Sequence, residues 1–365
     1  MNILYLGAES ANFVIHTCNA LCRQGHTVTA VVQTLDEYDK ENPIPLHKNL
    51  KRINIEYEKY FKPKYVFNKL IIEMQTDKFD MLFGSHAPVS PVLAELSHIY
   101  KIPWGIMILD IPTHTMRTER NRMRLWLYWF DILKHINTII FNNSIARDEY
   151  YNYTKQWFPN ENVIHYGTNM PEEYKGAGLD IEGDYILSVC RIHPYKNCKA
   201  IAQALSLLNT NLKYVAVGKN GGELDLIKKI CKKHNIPFEY KGIVTEKEKW
   251  ELIKNCKMYI YPQTTKYIAG QATLEAMWAG KPVLTGNYEI LKELYGKYPF
   301  YFNTDSSIDL AIKIATVNSM KSESTRDNRI EGIEHAYNTS NYDTMAAKMI
   351  GVFKRVIAIA ESEGK

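Results

Sequence analysis

Arg191 and Lys196 stand five residues apart just beyond an apolar run, Tyr185–Val189, with Pro194 between them. The run reads as a buried strand and the proline as a turn, so both cations fall at a strand's carboxyl end. Arginine offers a planar fork of donors and lysine a point charge, a combination that suits a diphosphate. Two unconnected surface cations would have the same spacing. A second segment opens at Gly270 and runs through Gln271, Ala272 and Thr273 to Glu275. Glycine lets the backbone approach a ligand closely, and the first N–H groups of a helix hold phosphate. Glu275 lies one turn in, where a carboxylate can accept hydrogen bonds from two ribose hydroxyls. The helix dipole alone also favours a glutamate there.

The first half of the chain offers fewer groups. Gly7 follows the apolar run Asn2–Leu6, and Asp110 follows Gly105–Leu109. A carboxylate at such a strand end can take a proton from an acceptor hydroxyl, support oxocarbenium-like charge, or simply order its loop. His86 follows Met81–Phe83 and is an acceptor-side candidate, though an ordinary loop histidine fits as well; His114 offers less. Arg117–Phe130 combines four arginines with four aromatics. On a helix it either lies on an anionic membrane or acceptor, or forms a solvated basic face over an apolar core face.

The two segments of the second half, in this order, resemble the nucleotide-binding domain of family-4 glycosyltransferases of the GT-B fold. Arg191 and Lys196 are similar to that family's "GR…K" pair, and Val215–Gly221 to its "VGxG" turn at Gly218. Tyr240–Val244 resembles the turn whose backbone reads the donor base, here Gly242 and Ile243. Leu274–Val283 resembles "LEAMAxGxPVV", and Glu293 falls at a later "PE" glutamate with Lys292 in place of proline. In the first half, Gly7 resembles the glycine loop beside the donor phosphates, Gly25–Val28 the "GHeV", and Val163–Asn169 the "VIPNGVD". Two departures stand out. The family's E-x7-E begins here with Tyr267, so the residue facing the donor sugar is not acidic. Its "VHG" histidine falls on Leu109, with Asp110 next.

These residues need elements to hold them. Apolar runs alternate with amphipathic stretches: Thr27–Val32, Thr138–Phe141, Lys213–Val217, Met258–Tyr261 and Pro282–Leu284 add strands, and Asn12–Arg23, Pro91–Tyr100, Cys198–Leu208, Glu223–His234, Glu246–Asn255 and Thr273–Ala279 add helices. The alternation predicts an α/β protein with parallel sheets. Two Rossmann-like domains facing across a cleft are expected, with ligands beyond the carboxyl ends of the strands. Residues 1–167 form the acceptor-side domain, 168–183 a linker, 184–338 the nucleotide-sugar domain, and 339–365 a helix crossing back to the first.

The chain's 365 residues, 45% hydrophobic and 23% charged, suit two cores. A net charge of +5 is compatible with anionic ligands or a membrane surface and too weak to imply nucleic acid. Six cysteines without metal spacing read as free thiols of a reducing compartment. Neither a leader nor a membrane span is read in the sequence, so a cytoplasmic location, with peripheral contact through 117–130 at the inner membrane face, is expected. The resemblance implies a retaining, metal-independent transfer from a nucleoside diphosphate sugar, with no cofactor, to a carbohydrate or glycolipid hydroxyl. A modified nucleic-acid base is a lesser acceptor. A non-catalytic nucleotide-sugar binder and a sugar-nucleotide epimerase are the alternatives.

Overall fold

The computed structural model describes residues 1–7, 11–34, 42–60, 62–109, 129–158, 160–180, 182–264 and 269–363. It separates into two compact units, Met1–Gly167 with Tyr342–Lys365, and Thr168–Asn341.

The first unit is built on seven strands: β1 (Asn2–Gly7), β2 (Thr27–Gln33), β3 (Leu50–Ile55), β4 (Met81–Ser85), β5 (Trp104–Ile108), β6 (Thr138–Phe141) and β7 (Glu161–Val163). All pair in parallel, in the order β3-β2-β1-β4-β5-β6-β7. β4 and β5 are buried along their whole length, as expected of central strands covered on both faces. One face carries the helices Pro63–Thr76 and Ser90–Tyr100 over Leu82, Ile106 and Phe141. The other carries Ala11–Arg23 and the terminal helix Tyr342–Ser362, which packs Met345, Met349 and Phe353 against Tyr5 and Phe83. Tyr342 stacks on His16 at 5.0 Å, and Asp343 pairs with Arg23 at 2.7 Å. Gly167 sits so close that a Cβ there would lie 2.2 Å from the Tyr342 ring.

The second unit holds β8 (Tyr185–Val189), β9 (Lys213–Val217), β10 (Phe238–Gly242), β11 (Met258–Tyr261), β12 (Val283–Gly286) and β13 (Phe300–Phe302). Their order is β10-β9-β8-β11-β12-β13, again parallel throughout. Each sheet reverses its strand order once, at β1/β4 and at β8/β11. Those reversals are where open α/β sheets bind ligands.

Residues 168–183, expected as a linker, belong to the second unit. Trp278 Nε1 donates to Pro171 O at 2.8 Å, and the Gly176 and Gly178 N–H groups donate to Trp278 O and Ala279 O. Two buried cations finish the attachment: Lys281 Nζ donates to Gly178 O, and Arg329 donates to Leu179 O and Gly280 O. Glycine and acidic residues mark this stretch as irregular backbone. They do not show that its carbonyls are met by distant side chains. The terminal helix begins at Tyr342, just after Asn341 bridges Thr168 within the second unit.

Candidate active site

β8 ends at Val189, and the chain turns through Arg191 to a short 3-10 helix, Pro194–Lys196. His193 Nδ1 accepts from the Tyr195 N–H, and Asn197 takes a left-handed φ of 55° to leave the turn. The turn is tied to the exit of β11 next door. Thr264 N donates to Tyr195 O, and Lys196 Nζ donates to the Tyr261 hydroxyl at 2.7 Å and to Gln263 Oε1 at 2.6 Å. Lys196 is therefore aimed by side chains of the strand across the β8/β11 reversal. Burial, with the Arg191 charge adding, pulls its pKa down to about 8, while Cys190 and Cys198 oppose the fall. Arg191 is exposed at the same strand end and makes no ion pair among the described residues.

Gly218 shows why the "VGxG" position is glycine. Its φ is +128°, and a Cβ there would lie 2.1 Å from Cys190 O. The crossing of the β8 and β9 ends has no room for a side chain, and the backbone angle alone would strain one. Its N–H donates to Gly242 O at 2.7 Å, and Tyr240 donates to Gly218 O. Gly242, at φ +68°, follows a register shift in β10 and releases Ile243, which is 40% exposed. An exposed apolar side chain beside bent backbone offers a flat base both a surface and peptide groups.

Gly270 caps the helix Gln271–Trp278 without a side chain. A Cβ there would meet the Tyr261 ring at 2.9 Å, so the same tyrosine that receives Lys196 also requires this glycine. Tyr295 donates to Gly270 O at 2.9 Å and fixes the turn. Gln271 and Ala272 are partly exposed, whereas Thr273 is buried. Glu275 is buried on the next turn. Its Oε1 accepts from Lys249 Nζ at 2.8 Å, and its Oε2 is buried and has no hydrogen-bond partner. Burial pushes the Glu275 carboxyl up, with Lys249 opposing. Lys249 also meets both oxygens of Glu246 at 2.9 Å.

At the reversal of the first unit, Gly7 and Ser85 pair across β1 and β4, and His86 follows with a φ of 75°. Its N–H donates to Met107 O, so Gly7, His86 and the partly buried Leu109 share neighbouring strand ends. Gly7 has a packing reason of its own, since a Cβ would lie 2.0 Å from Val14 Cγ2. Asp110, His114, residues 117–128 and Tyr267 lie outside the described residues. The last two residues of the basic-aromatic stretch are described: Phe130 is buried in the first unit's core and Trp129 packs against it.

The structure thus brings Lys196 and Gly270 onto one tyrosine, with Arg191 and Gly218 at the same sheet end. It adds Tyr261 and Lys249, which sequence reasoning passed over. Tyr261 was hidden as the last residue of an apolar strand. Lys249 looked like any lysine of an amphipathic helix, and nothing local pairs it with a carboxylate 26 residues on. Among the described residues, no three His, Cys, Asp or Glu side chains converge as metal ligands.

Residues 169–335 match the family model described as "Glycosyl transferases group 1". Two curated sequences of the serotype-specific mannosyltransferase WbdA from Escherichia coli are each 25% identical over 180 residues, 47% of this chain. That alignment covers 22% of one relative and 21% of the other, so the chain spans only about a fifth of their length. Among solved structures, sucrose-phosphate synthase from Thermosynechococcus elongatus superposes with a TM-score of 0.79 at 15% identity, over 98% of this chain and all of that one. Anabaena HepE, solved with UDP and glucose, gives 0.74 at 16%, over 97% and 100%. A glycosyltransferase from Rickettsia africae gives 0.74 at 14%, over 98% of both.

Proposed function

We infer that this GT-B glycosyltransferase, whose second unit is a glycosyl transferases group 1 domain, takes its sugar from a nucleoside diphosphate sugar and passes it to a hydroxyl. The transfer is read as retaining and metal-independent. The observation that carries the reading is the pair of contacts on Tyr261: a strand-end lysine on its hydroxyl and a helix-opening glycine against its ring. Both lie within the residues the family model covers, at the reversal where such sheets bind ligands.

In transfer, the bond from the sugar's anomeric carbon to the diphosphate breaks and negative charge grows on the leaving phosphate. Arg191, Lys196 and the N–H groups after Gly270 supply fixed positive potential there, which lowers the barrier because they need no reorganisation. That cationic set is the support for a reaction without a metal. The acceptor oxygen forms the new bond and gives up its proton; Asp110, beyond β5 and Leu109 in sequence, is the carboxylate offered for that role. The unpartnered oxygen of Glu275 suits a ribose hydroxyl donor, which would satisfy a buried acceptor.

WbdA is a mannosyltransferase and HepE was solved with UDP and glucose, so nucleoside diphosphate derivatives of mannose and glucose are the first donors to try. Carbohydrate and glycolipid hydroxyls are the acceptor class. The test follows transfer from each donor to lipid-linked and free oligosaccharides, with nucleoside diphosphate release matched to glycosylated product. Asp110→Asn should slow transfer by about a hundredfold while donor binding holds. Donor interconversion without acceptor would instead identify an epimerase, and tight binding without turnover a regulatory binder.

A further inference from the structure

Cys190 and Cys198 bracket the turn that presents Arg191 and Lys196. Their sulfurs are 3.4 Å apart. Cys190 is partly exposed at the strand end, while Cys198 is buried against the start of the helix Lys199–Leu205. The other four cysteines are all buried. From this geometry we propose that Cys190 and Cys198 are an oxidisable dithiol whose disulfide latches the diphosphate-binding turn.

Chemistry and reach both favour it. A disulfide needs its sulfurs at about 2.05 Å, so closure asks for a movement of little over an ångström. The ring it closes spans a separation of eight residues that are already folded into a turn, so no element has to unfold. Cys190 is the attacking thiol: the hydrogen bond from Cys198 lowers its pKa, and the nearby Lys196 ammonium acts in the same sense. Cys198 is pushed up, first by that same hydrogen bond and then by burial, so it keeps its proton until its turn comes. Burial pushes Cys22 and Cys231 to about 11 and Cys256 to about 12, and holds Cys18 well above the usual thiol range.

The oxidant class is a peroxide. The Cys190 thiolate attacks one peroxide oxygen, the O–O bond breaks, and Cys190 becomes a sulfenic acid as hydroxide leaves. The Cys198 sulfur then attacks that sulfur, the S–O bond breaks, and water departs with the Cys198 proton. Two thiols and one hydrogen peroxide thus give one disulfide and two waters, a two-electron oxidation. Closing the ring draws the end of β8 toward Cys198 and removes both thiols from beside Lys196. Lys196 and Arg191 sit between the joined residues, so their grip on an anion should weaken. This consequence, unlike the disulfide itself, rests on the diphosphate reading of the turn.

The full chain is reduced, exposed to hydrogen peroxide without denaturant, alkylated and digested. The expected peptide map joins Cys190 to Cys198, leaves the other four thiols free, and reverts on dithiothreitol. In Cys198→Ser the link is absent and dimedone traps a sulfenic acid on Cys190. Six free thiols after peroxide, or a link between other cysteines, overturns the dithiol. Inorganic pyrophosphate is then titrated calorimetrically into the reduced and oxidised proteins. Affinity should fall about tenfold or more on oxidation, while reduced Cys198→Ser binds like the parent. Unchanged affinity in the disulfide-linked protein overturns the latch. Pyrophosphate bound by neither form removes the diphosphate reading of the turn, with the peptide map still deciding the disulfide.

Discussion

Lys196 is held by two acceptors, yet burial makes its charge costly, so its proton is sensitive to pH. With a pKa drawn from 10.5 to about 8, the free protein loses this cation as pH rises through 8. Diphosphate affinity should be full below about pH 7 and fall by up to tenfold per unit above 8. Lys196→Ala should flatten that profile at a uniformly lower affinity; isothermal titration of pyrophosphate between pH 6 and 10 measures both. The linked effect on stability has the opposite slope. Between about 8 and 10.5 the unfolded chain holds the proton that the folded chain has shed, so the unliganded fold gains stability as pH rises. Arg191 has no partner to lose among the described residues, so Arg191→Ala should leave stability unchanged. It should cost diphosphate nucleotides about 30-fold or more in affinity while nucleosides bind as before. Equal losses for nucleoside and diphosphate would make Arg191 structural.

At the scale of elements, the helix Glu246–Asn255 braces the helix Gln271–Trp278 through a buried ion pair, Lys249 with Glu275. Lys249→Met strands a carboxylate in the interior and should destabilise the second unit by about 3–5 kcal/mol in urea unfolding. Adding Glu275→Gln should restore much of that stability while nucleoside affinity stays low, which separates bracing from binding. Gly218→Ala places a methyl against Cys190 O and a non-glycine residue at φ +128°. A loss of about 2 kcal/mol or more is expected, together with weakened diphosphate binding. The strands that the sequence hides share one position. β3, β7, β10 and β13 are the four sheet edges, and their residues are mostly half-buried: Leu50–Ile55 is interrupted by Lys51 and Arg52, and Phe238–Gly242 by Glu239 and Lys241. Edge strands bury less and carry charge, so the apolar run that marks β1 or β5 is missing from them. Polar contacts at long range were equally hidden. Glycines at 218, 242 and 270 could be found from motif spacing, but the reason for each lies in the fold: Cys190 O crowds Gly218, the Tyr261 ring crowds Gly270, and Gly242 takes a φ of +68°.

For the molecule as a whole, the parallel α/β character and the order of motifs were legible from the alternation of apolar and amphipathic segments. Unit boundaries were only partly so, because Lys281, Arg329 and Trp278 secure residues 171–179 to the second unit from far along the chain. The basic-aromatic stretch had two readings, and Trp129 and Phe130 at its end pack into the first unit's core. No helix among the described residues is long and apolar enough to cross a membrane. If residues 117–128 nevertheless bind a bilayer surface, sedimentation with anionic vesicles should exceed that with neutral ones and fall with salt.

On the proposed reading, the carboxyl end of the second sheet, around Arg191, Lys196, Gly270 and Glu275, binds a nucleoside diphosphate sugar. A thermal-shift panel of nucleosides, nucleoside diphosphates and nucleoside diphosphate sugars tests it most directly. A ligand at a hundred times its dissociation constant adds about 2.7 kcal/mol to folded stability. The expected result is one base whose diphosphate and diphosphate sugar raise the melting temperature, its nucleoside much less, with the shift abolished in Arg191→Ala. A panel with no shift for any diphosphate, or equal shifts in the parent and Arg191→Ala, would contradict it.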